Sequence, residues 1–217
     1  MMRALLKEKG IILSNSTVHK YMNKELKLKS ITRKIKPKYI KGESHKTFEN
    51  HVKQNFCTEA KNKIWCTDFT YLHLTDGSMR YNCTVIDLYD RRVVATLSSK
   101  TIDTKLAIDT LEIALKKNKK IDGLILHSDQ GSQYTSHNFT DYCERNKIIQ
   151  SMSKSGCPYD NAPMERYFNT LKAELINQKY YHNEEELYRD IATYAYDWYN
   201  EQRPHSYNGY MPPNKVA

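Results

Sequence analysis

No stretch of this sequence stays apolar for anything near the ~18 residues that a membrane-spanning helix needs, so a helical membrane protein is excluded at the outset. The opening M-M-R-A-L-L-K-E-K-G lacks the apolar centre of a secretory signal, and the expected location is the cytoplasm. Five cysteines (Cys57, Cys66, Cys83, Cys143, Cys157) form no C-x-x-C pair. An odd, scattered set predicts reduced thiols and argues against a disulfide framework. His45 and His51 do not complete a zinc pattern with Cys57 and Cys66, because the paired spacing is missing. Acids are nearly absent from one segment: between Lys20 and Lys41, nine Lys and Arg stand against Glu25 alone, a net +8 of the chain's +9. One basic segment on an otherwise near-neutral chain is the electrostatic footprint of a nucleic-acid binder. Solubility alone does not call for clustering of one sign.

What is present suffices for one sizeable domain and a small appendage: 217 residues, 39% of them hydrophobic. Residues 3–9 read as a helix ended by Gly10. Asn15 or Ser16 is positioned to cap a second helix, in which Val18, Met22 and Leu26 form an apolar stripe. Two short helices suggest helix-turn-helix, although any small helical hairpin reads alike. The basic segment through Pro37 and Gly42 is then a linker.

From Ile64 the periodicity changes. Segments 64–72, 80–89 and 91–98 are rich in Val, Ile, Thr and Tyr, with turns at Asp76-Gly77 and Asp90, which predicts an antiparallel meander. A helix over about 103–118, a buried strand 123–127, a helix over about 136–146 and a strand 148–152 follow. The class is α/β: a five-stranded mixed sheet, antiparallel on one side and parallel on the other, flanked by helices. Residues 153–161 read as an exposed, mobile loop. Asn161 is expected to cap the next helix, with Pro163 in its first turn. Met164, Phe168, Leu171 and Leu175 are its core stripe, and Glu165, Asn169 and Lys172 share a neighbouring face. Asn183 and Glu186 open the last helix as a capping-box variant.

Three carboxylates stand out. Asp68 sits within an apolar-aromatic strand, where an unpaired charge is costly. Asp129 closes a strand and enters H-S-D-Q-G-S, at the end of a parallel strand where α/β sheets gather ligands. Thirty-five residues separate Asp129 from Glu165, which lies on the helix. Each alone has an ordinary explanation as edge, turn or helix residue; Asp87, Asp90 and Asp122 are explained that way. Together, without His or Cys beside them, they make a hard oxygen site suited to Mg²⁺ or Mn²⁺. In a basic protein that predicts phosphodiester chemistry. His127, two residues before Asp129, is either a neighbour of that site or a packed core histidine.

Four segments carry a resemblance: W-C-T-D-F-T-Y (65–71), H-S-D-Q-G-S-Q-Y-T-S (127–136), S-G-C-P-Y-D-N-A-P-M-E-R-Y-F-N-T-L-K-A-E (155–174) and Y-N-E-Q-R-P-H-S (199–206). They resemble the catalytic subunit of bacterial insertion-sequence transposases with a retroviral-integrase-like core, over nearly the whole chain. The resemblance implies a ribonuclease-H-like fold with Asp68 on the first strand, Asp129 after the fourth and Glu165 on a helix. It implies that these three hold two Mg²⁺ (or Mn²⁺) ions, with Asp68 shared, for strand cleavage by water and strand transfer by the freed 3′-hydroxyl. Lys172 is placed to contact the DNA backbone, and Asn169, Lys20, Lys24, Arg33, Lys34 and Lys36 are further expected DNA contacts, with Asn161 a candidate. Arg203, Pro204 and His205 are expected to dock the C-terminus.

The organisation expected is a partial helix-turn-helix and basic linker (1–42), a connector (43–62), the catalytic core (63–180), and a C-terminal helix and tail packed on it (181–217). By the same resemblance, Met1-Met2 is expected to fall inside the N-terminal module of such relatives. The expected partners are therefore double-stranded DNA at the element's ends and at the target, further copies of the chain, and an upstream-frame helix-turn-helix protein. Two other readings compete: a catalytically idle DNA-binding remnant that interferes with the full-length transposase, and a ribonuclease of the same fold. Lys172 and the tail argue against the ribonuclease.

Overall fold

The computed structural model describes residues 2–28, 46–118, 121–154 and 156–216. Arg33, Lys34, Lys36 and His45 lie outside them. At the N-terminus, α1 (Met2–Glu8) and α2 (Asn15–Lys20) are joined through Gly10, which takes a left-handed φ of 77°. The cap of α2 is Ser14, not Asn15 or Ser16: its hydroxyl accepts the Thr17 N–H at 3.0 Å. The helix widens into a π-type turn over Tyr21–Glu25, which breaks the 3.6-residue stripe. Val18 is buried and Leu26 is exposed accordingly.

The meander is β1 (Ile64–His73), β2 (Met79–Asp87) and β3 (Val93–Ser99). At the first turn Asp76 Oδ1 accepts the Ser78 N–H and Gly77 has φ 82°, a conformation a side chain resists. Then come α3 (Thr104–Lys117), β4 (Ile125–Ser128), the single turn α4 (Ser132–Thr135), α5 (His137–Arg145) and β5 (Ile149–Met152). Asp103 and Ser136 cap α3 and α5 through their side chains. Sheet order is β3-β2-β1-β4-β5, with β1, β4 and β5 parallel and the meander antiparallel, as the periodicity predicts.

Strand alternation gives the sheet two apolar faces. On one, Trp65, Val85, Ala95 and Leu126 pack with Leu111, Ala114 and Phe139. On the other, Cys66, Ile86 and Val93 meet Met164, Phe168 and Leu171 of α6 (Ala162–Glu174), with Tyr194 and Tyr199 beside them. The last helix, α7 (Glu184–Thr193), is capped by Asn183 Oδ1 accepting from Glu186 N–H. It continues in a π-type turn, Tyr194–Tyr199, onto β3. There the Asn200 amide both accepts from the Val93 N–H (2.8 Å) and donates to the Val93 carbonyl (2.9 Å), while the Tyr196 hydroxyl accepts from the Thr96 N–H. No helix of the described residues is long and apolar enough to cross a membrane.

Candidate active site

The β1–β4 register places the two aspartates. Cys66 stands opposite His127 in the last pair of that ladder, on strands ~4.8 Å apart, and Asp68 and Asp129 each lie two residues further along their chains. Asp129 is the first residue after β4, where its carboxylate is free of the ladder. Both aspartates act electrostatically on the buried Tyr134 phenol, whose pKa burial pushes well above the ordinary value. Tyr134 in turn meets the Thr67 hydroxyl at 3.0 Å, pinning the strand residue before Asp68. Asp68 Oδ1 accepts the Phe69 N–H at 2.7 Å, and Asp129 Oδ1 accepts the Gly131 N–H at 2.9 Å.

Glu165 lies in the first turn of α6, half-buried, beside the buried Met164. Its helix starts from a residue that does not cap it. Asn161 makes no capping bond; its Nδ2 donates to the Thr67 carbonyl at 3.2 Å, tying the start of α6 to β1 one residue from Asp68. The amide N–H is committed to the strand, and the Oδ1 that would have capped the helix is buried without a partner among the described residues. The preceding segment is correspondingly less exposed than its composition predicts. Asp160 is buried: its carboxylate accepts from Lys154 N–H (2.9 Å), Asn50 Nδ2 (3.0 Å) and Gln54 Nε2 (2.7 Å). The Lys154 amide first, then Gln54, holds the Asp160 pKa below its ordinary value. Lys154, Gly156, Cys157 and Tyr159 face solvent as the composition predicts.

His127 is fully buried and structural. Nε2 donates to the Asp160 carbonyl and Nδ1 accepts from the Ser151 hydroxyl, both at 2.9 Å, a tautomer assigned from these partners. Burial lowers its pKa and keeps the ring neutral. The Cys66 thiol is likewise pushed up to about 12 by burial, so no thiolate borders the acids. Lys172 lies two turns beyond Glu165, ~10 Å along the axis. It lines a groove of about 650 Å³ with Tyr71, His73 and Tyr180 at the far end of β1. Asn169 is half-buried, and its Nδ2 lacks a hydrogen-bond partner among the described residues. Lys20 and Lys24 are exposed on the N-terminal helices.

The β1–β4 pairing ends two residues before Asp68 and Asp129, and α6, which carries Glu165, packs against the Cys66 face of the sheet. Among the described residues no three His, Cys, Asp or Glu side chains already form a group able to hold a metal ion. Gly131 is a site residue that composition hid. A Cβ there would stand 2.9 Å from Asp129 Oδ1 and 3.1 Å from Gln133 Oε1, so only glycine leaves the carboxylate where it is. The D-x-G spacing is its one sequence signal.

Residues 58–158 match the family model described as Integrase core domain, and residues 146–213 match a second model so described. The chain is 38% identical over 164 residues to the transposase for insertion sequence element IS904 of Lactococcus lactis subsp. lactis (strain IL1403), covering 76% of this chain and 64% of that protein's length. It is 31% identical over 210 residues to transposase InsF for insertion sequence IS3A of Escherichia coli (strain K12), covering 97% and 73%. Two solved structures share the fold at low identity. The simian T-cell lymphotropic virus intasome in complex with PP2A regulatory subunit B56 gamma superposes with TM-score 0.62 at 15% identity, over 99% of this chain and 69% of that one. The HTLV-2 integrase catalytic core domain in complex with magnesium gives 0.56 at 16%, over 73% and 97%. The sheet is therefore that of the retroviral integrase cores, the ribonuclease-H-like fold.

Proposed function

Because the chain belongs to the insertion-sequence transposases with an integrase core, we propose that Asp68, Asp129 and Glu165 form the catalytic centre of a metal-dependent DNA transposase that cleaves and joins strands at the ends of an insertion sequence. The observation that supports this reading is the parallel pairing of β1 with β4 as far as Cys66 and His127, two residues before Asp68 and Asp129, with α6 tied to β1 through Asn161.

The donor chemistry fits a hard divalent cation. The candidates are carboxylate oxygens, both His127 nitrogens are committed elsewhere, and the Cys66 thiol stays protonated. Asp68, Asp129 and Glu165 would hold Mg²⁺ or Mn²⁺, two ions per site with Asp68 shared. Bound there, the cations supply charge stabilisation to the attacking and leaving oxygens of an in-line phosphoryl transfer. The chain's own contribution is positioning. Gly131 fixes the Asp129 carboxylate, Asn161 fixes the start of the glutamate helix, and Lys172 contacts a backbone phosphate of the bound DNA. Asn169, with a free amide donor beside Glu165 and Lys172, contacts the same DNA, and Lys20, Lys24, Arg33, Lys34 and Lys36 add affinity from the N-terminal segment.

The partners that follow are duplex DNA at the element's ends and at the target, further copies of this chain in the nucleoprotein complex, and an upstream-frame helix-turn-helix protein. The test is strand cleavage and joining on labelled element-end DNA with Mg²⁺ or Mn²⁺. Asp68→Asn, Asp129→Asn and Glu165→Gln each abolish both products and leave duplex binding intact. Joining retained in all three variants overturns the assignment. Binding by the unaltered chain with no metal-dependent product supports the idle remnant instead.

A further inference from the structure

On the side of α6 away from Glu165 lies a cavity of about 290 Å³, at the lower end of the ~300–1,000 Å³ typical of small-ligand sites. Its wall is made where four distant segments meet: Phe56 ahead of β1, the end of β2 with the turn after it, the outward face of α6, and the C-terminal tail. Arg91, Arg166, Arg203 and His205 line it, and no carboxylate does among the described residues.

The three guanidiniums are not equivalent. Arg203 is satisfied, held bidentate by Glu174 (Nη2 to Oε1 2.8 Å, Nε to Oε2 2.9 Å). Arg91 is built in but left unfinished. It is 92% buried, one face stacks on the Tyr207 ring at 3.9 Å, and Nη2 donates to the Phe56 carbonyl at 2.8 Å. Its Nη1 has no acceptor, and neither does His205 Nδ1 find a partner, among the described residues. Arg166 is exposed and makes no carboxylate pair among them. Burial first, and then the three arginines, lower the His205 pKa to about 4. Burying an uncompensated guanidinium nitrogen is costly unless an acceptor arrives. A tetrahedral oxyanion answers the fork geometry of arginine.

We propose that this cavity is a phosphate-binding site, with Arg166 as the outer contact and Arg91 and His205 as the inner ones. Its position suits the backbone of a bound DNA strand away from the reacting phosphate, an identification that rests on the transposase reading. Ile86 in its wall pairs with Cys66, two residues and ~7 Å along β1 from Asp68, and Arg166 directly follows Glu165. Phosphates of one strand recur every ~3.4 Å of helix axis, so a duplex engaged at the acids has others within reach.

The test is made in EDTA, with no metal and no chemistry, so that it is blind to whether the carboxylates catalyse. The ring signals of His205, assigned by comparison with His205→Asn, are followed by NMR while inorganic phosphate or a short DNA duplex is added. The salt dependence of duplex affinity is measured in parallel. The expected result is a His205 shift on adding duplex, lost in Arg166→Glu and kept in Arg166→Lys. In Arg166→Ala, the magnitude of the log–log salt slope is expected to fall by about 1. A shift with inorganic phosphate, combined with an unaltered slope in Arg166→Ala, assigns the site to a free phosphate group and not to the DNA backbone. No shift with either probe and an unaltered slope overturns the proposal, and thermal melting of each variant confirms that the comparison is between folded chains.

Discussion

Asp129 and Asp160 flank the same structural element, β4 and what packs on it, yet they are held in opposite ways. Asp160 is buried and takes three donors, from Lys154, Asn50 and Gln54, while its carbonyl takes a fourth from His127. Asp129 is half-buried beyond the strand end and takes the Gly131 N–H. Glu174, on the same helix as Glu165, repeats the first pattern with bonds from Arg203, Tyr194 and Trp198. The difference separates two uses of a carboxylate. Saturated by protein donors, it locks segments together; left with free lone pairs at a strand end, it is available to a cation or a substrate. Sequence type cannot distinguish the two, because both are aspartates in polar loops.

The comparison breaks most sharply under Asp129→Asn. Joining activity falls about 10³-fold or more, since a cation ligand worth several kcal/mol is lost, while denaturant midpoints stay within ~0.5 kcal/mol of the original. A large loss of stability would place Asp129 with the locking carboxylates. Asp160→Ala inverts the pattern: about 3 kcal/mol of stability disappears, because three buried donors lose a charged acceptor. The pH profile sharpens it. A folded-state pKa below the unfolded value means the contribution is complete above the unfolded pKa and is lost as pH falls through the folded one. The acid limb of the melting-temperature profile should therefore flatten in this variant; an unaltered limb would remove Asp160 from the account. Gly131→Ala is expected to cost about 10²-fold in joining by displacing the Asp129 carboxylate, with little change in melting. Glu174→Gln, at a pair that retains some solvent contact, should cost about 2 kcal/mol in chemical denaturation and leave metal-dependent cleavage measurable.

Much of the scaffold was legible because it is written locally. The Val-, Ile-, Thr- and Tyr-rich run 64–72, the Asp76-Gly77 turn and the Asn183 cap act over a few residues, and the strands and helices follow them closely. The grouping of Asp68 with Asp129 rests in the sequence on residue type and a family resemblance, since the β1–β4 pairing that leads towards both joins segments some sixty residues apart. Asn161 misled for the opposite reason. Its local environment favours a cap, but the side chain is oriented by its Nδ2 bond to the Thr67 carbonyl, ninety-four positions earlier, and Oδ1 caps nothing. Asp160 read as solvent loop because its partners Asn50 and Gln54 lie more than a hundred residues away. His127 carried equal arguments for site and core until the Ser151 and Asp160 contacts settled it as core. The cavity of Arg91, Arg166 and His205 has no sequence signature, being assembled from four segments.

The Asn200 amide deserves a different description once its two bonds to Val93 are set beside the strand order. β3 is the outermost strand of its sheet, and an uncovered margin of that kind offers N–H and C=O groups to any passing extended chain. By presenting a carbonyl and an amide N–H in one side chain, Asn200 imitates a single residue of a neighbouring strand, and the Tyr196 hydroxyl covers the Thr96 N–H further along. The C-terminal segment is thus a selvedge for the sheet: it finishes the border so that the weave neither unravels nor stitches itself to another copy.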